Sequence, residues 1–172
     1  MNPAAVSISG LSFRHPGQHT DCFSNLNLDI EPGERFGLFG PNGAGKTTLM
    51  NCMTGLLAYQ KGSIRIFGNE VKANRNSINR LFGFVPQDFS FYQELSPLEN
   101  LAFFGAWSGL DKQQVKKRSA ILLDVLGLTD VSNKQVRKFS GGMKRRVNLA
   151  IGVIHEPRII FLDEPTVGVD IH

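Results

Sequence analysis

At 172 residues, with 41% hydrophobic and 20% charged residues, the chain suits one globular domain with a real core. No run approaches the roughly 20 apolar residues needed to span a bilayer, and Met1 to Gly10 lacks the charged-then-apolar layout of a secretion signal. The net charge of +4 is scattered over Lys116-Lys117-Arg118, Arg137-Lys138 and Lys144-Arg145-Arg146, each within or beside a helical pattern. Solvated helix faces account for it without a nucleic-acid partner. Cys22 and Cys52 lie far apart in sequence, with no metal-ligand spacing, and are expected as reduced thiols in a cytosolic protein.

Val6, Ile8, Leu11 and Phe13 alternate with small or polar residues, a strand signal that His15-Pro16-Gly17-Gln18-His19 breaks. Phe23, Leu26, Leu28 and Ile30 begin a second strand, and Glu31-Pro32-Gly33-Glu34 is a turn. Arg35 to Phe39 reads as a short buried strand, and Lys46 to Leu57 as a helix.

Between these two lies Gly40-Pro41-Asn42-Gly43-Ala44-Gly45-Lys46-Thr47-Thr48, which fits G-x-x-x-x-G-K-[ST]. Glycines at these positions permit positive φ and let backbone N–H groups face an anion without a Cβ in the way. A helix starting there adds its free N–H groups and dipole. Lys46 is the point charge for β- and γ-phosphates, Thr47 the hydroxyl ligand for Mg2+, and Thr48 supports a neighbouring phosphate. The motif specifies a nucleoside-triphosphate site. Alone, it leaves GTPase, kinase and ATPase motor open.

Further along, Ser63 to Phe67 reads as a strand, Asn74 to Leu81 as a short helix and Phe82 to Val85 as a strand, followed by Pro86-Gln87-Asp88. Ser96-Pro97-Leu98-Glu99 is a capping box with proline at the first helical position. Its helix runs to about Trp107, with Gly109 as a stop, and Asp111 opens another that ends before Gly127. Residues 89–138 thus form a helical insertion, in which Phe103, Phe104 and Trp107 are expected to pack as core. Ser140-Gly141-Gly142 precedes an amphipathic helix from Met143 to His155. There Val147, Ala150, Ile151 and Ile154 share a face, while Lys144, Arg145 and Asn148 point elsewhere. Arg158 to Leu162 is an apolar run suited to a doubly covered parallel strand, ending on Asp163-Glu164.

The ordered set of motifs resembles the nucleotide-binding domain of ATP-binding-cassette (ABC) transporters over the whole chain. That resemblance implies an α/β fold: a P-loop NTPase (RecA-like) core with an N-terminal antiparallel β subdomain and an α-helical insertion. It makes residues 1–172 one ATP-binding domain. The three-layer parallel sheet is then incomplete at the C-terminus, because the strand bearing the family's switch histidine would follow His172. Gln87 becomes the Q-loop glutamine, Ser140-Gly141-Gly142 the signature, Asp163 the Walker B acid and Asp170 the D-loop acid. Glu164 becomes the catalytic carboxylate that orients or deprotonates the attacking water, with Lys46 and Gln87 assisting. Thr47, Gln87 and Asp163 are the implied Mg2+ ligands, and ATP the implied nucleotide. Phe139 and Met143 replace the signature's common leucine and glutamine, and His15 stands where the family often stacks an aromatic on adenine.

The resemblance further implies a head-to-tail dimer, in which the signature of one subunit closes over ATP bound to a second nucleotide-binding subunit. An integral membrane permease subunit would dock near the surface from Gln87 to Leu101, placing the chain peripherally on the cytoplasmic face of the inner membrane. Phe91 to Leu101 and Ser140 to Arg146 are most similar to bacterial exporters with separate membrane subunits. The rival is a soluble ABC ATPase of the translation-factor type. Repair-type members are excluded, since the stretch from Lys46 to Ser140 has no room for long coiled coils.

Overall fold

The computed structural model describes residues 3–73 and 78–163. It divides into two compact units, Met1–Leu81 and Phe82–His172.

In the first unit, strands β1 (Val6–Phe13), β2 (Phe23–Ile30), β3 (Lys61–Ile66) and β4 (Asn69–Glu70) form an antiparallel sheet in the order β2-β1-β3-β4. Helix α1 (Lys46–Met53) lies between β2 and β3 in sequence. The spacing of apolar residues in β1 explains itself once the strand is seen. Val6 and Ile8 point inward, then the register shifts, and Leu11 and Phe13 point inward again. The extra residue is absorbed near Gly10, whose φ of 58° a glycine adopts without strain. β2 answers with its own irregularity at Asn25, where φ is 50°. The backbone donors displaced by this kink are recovered: Gly10 N–H donates to Asn27 Oδ1 at 2.8 Å, and Asn25 N–H to Ser12 Oγ at 3.0 Å.

The second unit contains β5 (Phe82–Val85) and β6 (Ile159–Leu162), paired in parallel with Phe82 opposite Ile159 and Val85 opposite Leu162. Between them in sequence come α2 (Pro97–Trp107), α3 (Lys112–Val125), two 3-10 turns at Thr129–Val131 and Val136–Lys138, and α4 (Gly141–Val153). The expected capping box forms, with Ser96 capping α2 with Glu99, and Asp111, expected to open α3, caps it with Gln114. The core here is aliphatic, built on Leu101, Leu123, Leu128, Val136, Val147, Ala150 and Ile154, with Phe139 beneath the start of α4. Gly105 lets α2 approach α3, since a Cβ there would stand 2.8 Å from Val115.

Several expectations need correction. No strand forms over Arg35 to Phe39, and Phe39 is 95% exposed. Strand geometry needs a ladder partner, and this run has none among the described residues. Helix α1 ends at Met53 rather than Leu57: Thr54 turns its hydroxyl back to the Met50 carbonyl at 3.0 Å, and Gly55 follows at a φ of 73°.

Phe103, Phe104 and Trp107 are not core. Pro97, Leu101 and Gly105 form the inward stripe of α2, which leaves Phe103 and Trp107 on the outer side, with Trp107 82% exposed. There the rings cluster with one another and with Tyr92. β6 alternates rather than being covered throughout, with Ile160 and Leu162 exposed. Arg145 and Asn148, expected to face away from the core, are buried. The short helix expected over Asn74 to Leu81 lies partly outside the described residues, as do Glu164 and Asp170 entirely.

The start of α2 gives a direct test. Ser96 Oγ donates to Glu99 Oε2 and accepts the Glu99 N–H, while the Ser96 N–H donates to the same carboxylate. Ser96→Ala should lower unfolding stability by about 1 kcal/mol. The hydrogen bonds from the Ser96 backbone and hydroxyl hold the Glu99 carboxyl below its ordinary range. Its stabilising effect is therefore full above the unfolded value of about 4.3 and fades as pH falls through the lower folded value. Thermal melts of Glu99→Gln across acid pH should lack that component.

Candidate functional site

In the first unit, the glycine-rich loop is built as the sequence requires. Gly40, Gly43 and Gly45 take φ of 155°, 81° and 88°, and Gly45 forms the N-cap of α1. Ala44 N–H closes a turn on the Pro41 carbonyl at 3.2 Å, and the first helical bond runs from Leu49 N–H to the Gly45 carbonyl at 2.8 Å. The amides of Lys46 and Thr48 precede that bond, so the helical ladder leaves them outside. No side chain caps this end and no acid sits in the first turn. The Lys46 ammonium is folded over the loop, donating to the carbonyls of Gly40 and Pro41 at 2.9 and 3.0 Å. Positive charge and helix-start amides thus converge on one exposed loop, an arrangement suited to a polyanion.

His15 comes to the same place. Its ring stands edge-on against Phe13 with centroids 4.8 Å apart, and Nε2 lies 3.4 Å from Thr48 Oγ1. Sequence reasoning missed the residue that holds this segment, Gln60. Its carboxamide accepts the Arg14 N–H at 2.9 Å and donates to the Arg14 carbonyl at 3.0 Å, replacing the strand partner that β1 has just lost. An open cleft of about 420 Å³ adjoins it, lined among others by Arg14, His15, Gln18, Asp21 and Lys61. That size falls within the range of small-molecule sites.

Gly45 is glycine for two reasons. Its φ is left-handed, and a Cβ there would stand 2.7 Å from Cys22 Sγ, which packs beneath the loop. Cys52, on the same helix, is fully buried. Burial first, and then the neighbouring Cys22, push its thiol up to about 11. The two cysteines, distant in sequence, therefore share one neighbourhood.

In the second unit, Gln87 lies exposed just after β5, and Asp163 lies buried just after β6. Asp163 N–H donates to the Val85 carbonyl at 3.0 Å, continuing the parallel ladder by one step. Ser140 caps α4, its hydroxyl accepting the Met143 N–H at 3.3 Å. A Cβ added at Gly142 would meet nothing within 4 Å. Packing does not demand glycine there, and the helix start stays open to approach from outside. Phe139 is buried in the aliphatic core and Met143 packs against it, so both residues serve the fold.

α4 reaches the glutamine loop through residues the sequence reading had turned outward. Arg145 donates to the carbonyl of Pro86 at 2.7 Å, of Asp163 at 3.0 Å and, more distantly, of Gln87 at 3.5 Å. Desolvation lowers the guanidinium pKa while the Asp163 charge opposes that shift; the group stays protonated. Asn148 donates to Pro86 at 3.2 Å and accepts the Ser90 N–H at 3.3 Å. A usable signal existed: Arg145, Asn148 and Gly152 recur at helical spacing beside the apolar stripe, and the glycine marks close backbone approach.

Residues 23–167 match a family model described as ABC transporter. The linearmycin resistance ATP-binding protein LnrL of Bacillus subtilis is 39% identical over 145 residues, covering 84% of this chain and 47% of that protein. A probable multidrug ABC transporter ATP-binding protein of Escherichia coli, YbhF, is 36% identical over 170 residues, covering 99% and 29% respectively. This chain thus spans less than half of either relative. Among solved structures, cbiO1 from Clostridium perfringens, described as part of the ABC transporter complex cbiONQ, superposes with a TM-score of 0.86. Its identity is 25%, over 98% of this chain and 68% of that one.

One substitution and one labelling experiment probe the loop and the helix behind it. Gly45→Ala should destabilise the protein by about 2 kcal/mol or more in urea unfolding, from its left-handed backbone and the encounter with Cys22. In the folded protein at pH 8, Cys52 should resist iodoacetamide and become reactive in denaturant, as mass spectrometry of the alkylated peptide would report.

Proposed function

The chain belongs to the ABC transporter family, and on that premise we propose that it is the ATP-binding and ATP-hydrolysing subunit of a transporter, working in export. The observation that carries this reading is the loop before α1, with left-handed Gly43 and Gly45, helix-start amides outside the ladder, and Lys46 held over it. Residues 1–172 act as one ATP-binding domain, and residues 89–138 as its helical subdomain. The membrane-spanning part is a separate permease subunit. The resistance and multidrug names of the similar proteins support export, and cbiO1, part of a complex, supports a division of labour between subunits.

In this account Gly40 to Thr48 wrap the phosphates with backbone amides, and Lys46 leaves its two carbonyl partners for the β- and γ-phosphates. His15 packs against the base. The hydroxyl of Thr47 in the first unit, and the carboxamide of Gln87 and carboxylate of Asp163 in the second, are each hard oxygen donors of the kind Mg2+ takes. The cation supplies charge neutralisation on the phosphate oxygens. Glu164 orients the attacking water and accepts its proton. Ser140-Gly141-Gly142 offers helix-start amides and a hydroxyl to the γ-phosphate bound by a second subunit, so ATP joins two subunits head to tail, with Asp170 as the D-loop acid.

The aromatic cluster of Tyr92, Phe103 and Trp107 is a substantial exposed apolar surface close in sequence to Gln87. It supports docking of the permease on this face, which puts the protein on the cytoplasmic side of the membrane. ATP binding, dimer closure and hydrolysis then drive the permease between its states.

Differential scanning fluorimetry tests the carrying observation. Mg-ATP at a hundredfold excess over its dissociation constant should stabilise the parent by about 2.7 kcal/mol. Lys46→Ala should melt near the parent temperature without nucleotide and lose the shift. Equal shifts in parent and variant would contradict the reading.

A further inference from the structure

Arg145 and Asn148 have no part in the nucleotide chemistry above, yet they are the buried polar residues of α4. Both reach the same short segment. Gln87 sits exposed in a loop whose two stems are held from this one helix: Pro86 through Arg145 and Asn148, and Ser90 through Asn148. The Pro86 carbonyl receives a donor from each, using both its lone pairs. The same guanidinium takes the carbonyl of Asp163, whose own N–H continues the ladder to Val85. Three segments thus meet on one planar group: the end of β5, the end of β6 and the helix that starts at Ser140-Gly141-Gly142. Close approach makes this possible. A Cβ at Gly152 would stand 2.6 Å from Val85, so the helix backbone rests directly on β5.

We infer that Arg145 and Asn148 are positioning residues that tie the glutamine loop and the Asp163 carboxylate to the helix bearing Ser140-Gly141-Gly142, so that these elements shift together. Neither touches the reacting atoms. Each acts through others: Arg145 by fixing the backbone on which Gln87 and Asp163 are carried, Asn148 by closing the far stem of the loop. Contact of the helix start with an anion is thereby passed to Gln87 by rigid hydrogen bonds rather than by a flexible loop. A lysine at 145 keeps the charge but loses the fork that spans two carbonyls. The role in hydrolysis rests on the function proposed above; the tether itself does not.

The test uses the full-length protein with Arg145→Lys and Asn148→Ala, the second releasing the Ser90 stem alone and guarding against an Arg145 variant that does not fold. Amide hydrogen exchange without nucleotide should quicken about tenfold or more at Ser90 in Asn148→Ala. Steady-state ATP hydrolysis should fall about 10- to 100-fold in kcat for both variants, with KM within about threefold of the parent. Parent-like exchange at Ser90 in Asn148→Ala overturns the tether, whether or not the protein hydrolyses ATP. Faster exchange with parent-like kcat overturns the positioning role. A parent that fails to hydrolyse ATP sinks the functional reading and, with it, the positioning role, while the exchange result still decides the tether.

Discussion

One buried guanidinium sets the local order of the second unit. Arg145 binds carbonyl groups at the ends of both parallel strands, which turns a two-stranded sheet and a helix into a single fastened body. The arrangement carries a cost, since burying a charge is expensive unless it is paired and hydrogen-bonded. Here the neighbouring Asp163 charge opposes the desolvation. Removing the guanidinium would take a donor from the Pro86 and Asp163 carbonyls, the first of which keeps Asn148. The fold therefore depends on an interaction that also lies next to the residues proposed for catalysis.

Glycine does complementary work in both units, by allowing backbone to approach where side chains would intervene. Gly45 lets the phosphate loop settle on Cys22, and Gly83 and Gly152 let α4 lie on β5. Gly142 differs from these, because none of the described residues presses on it. The first three are explained by packing; the last is left open, as the helix start proposed to meet a second subunit's nucleotide requires.

Much of this was legible in the sequence because it is local. The capping box at Ser96, the helix start at Asp111, the glycine-rich loop and the Ser140 helix start each depend on residues close in sequence, and each forms where it was expected. Failures came where a distant partner decides. Arg35 to Phe39 has the composition of a buried strand, but a strand exists only with a neighbour, and none of the described residues supplies one. The Phe103 and Trp107 rings suggested core by their size; the inward stripe of α2 is instead set by Leu101 and Gly105 packing against neighbouring helices. Arg145 and Asn148 counted as outward because they are polar. Carbonyls some sixty positions earlier in the chain reverse that, as Arg145 and Pro86 are separated by 59 residues. Gln60 escaped notice similarly, as its role depends on Arg14, 46 positions away.

The central claim is that the phosphate loop and the Ser140-Gly141-Gly142 helix start serve one nucleotide from two subunits. Sedimentation velocity of the full-length protein carrying Glu164→Gln addresses it most directly, since loss of the carboxylate proposed to activate the water should leave bound ATP unhydrolysed. The account predicts a monomer without nucleotide and a dimer with Mg-ATP, with the dimer lost on adding either Lys46→Ala or Ser140→Arg. A protein that binds Mg-ATP stoichiometrically and stays monomeric, or one whose dimer persists with Ser140→Arg, would contradict it.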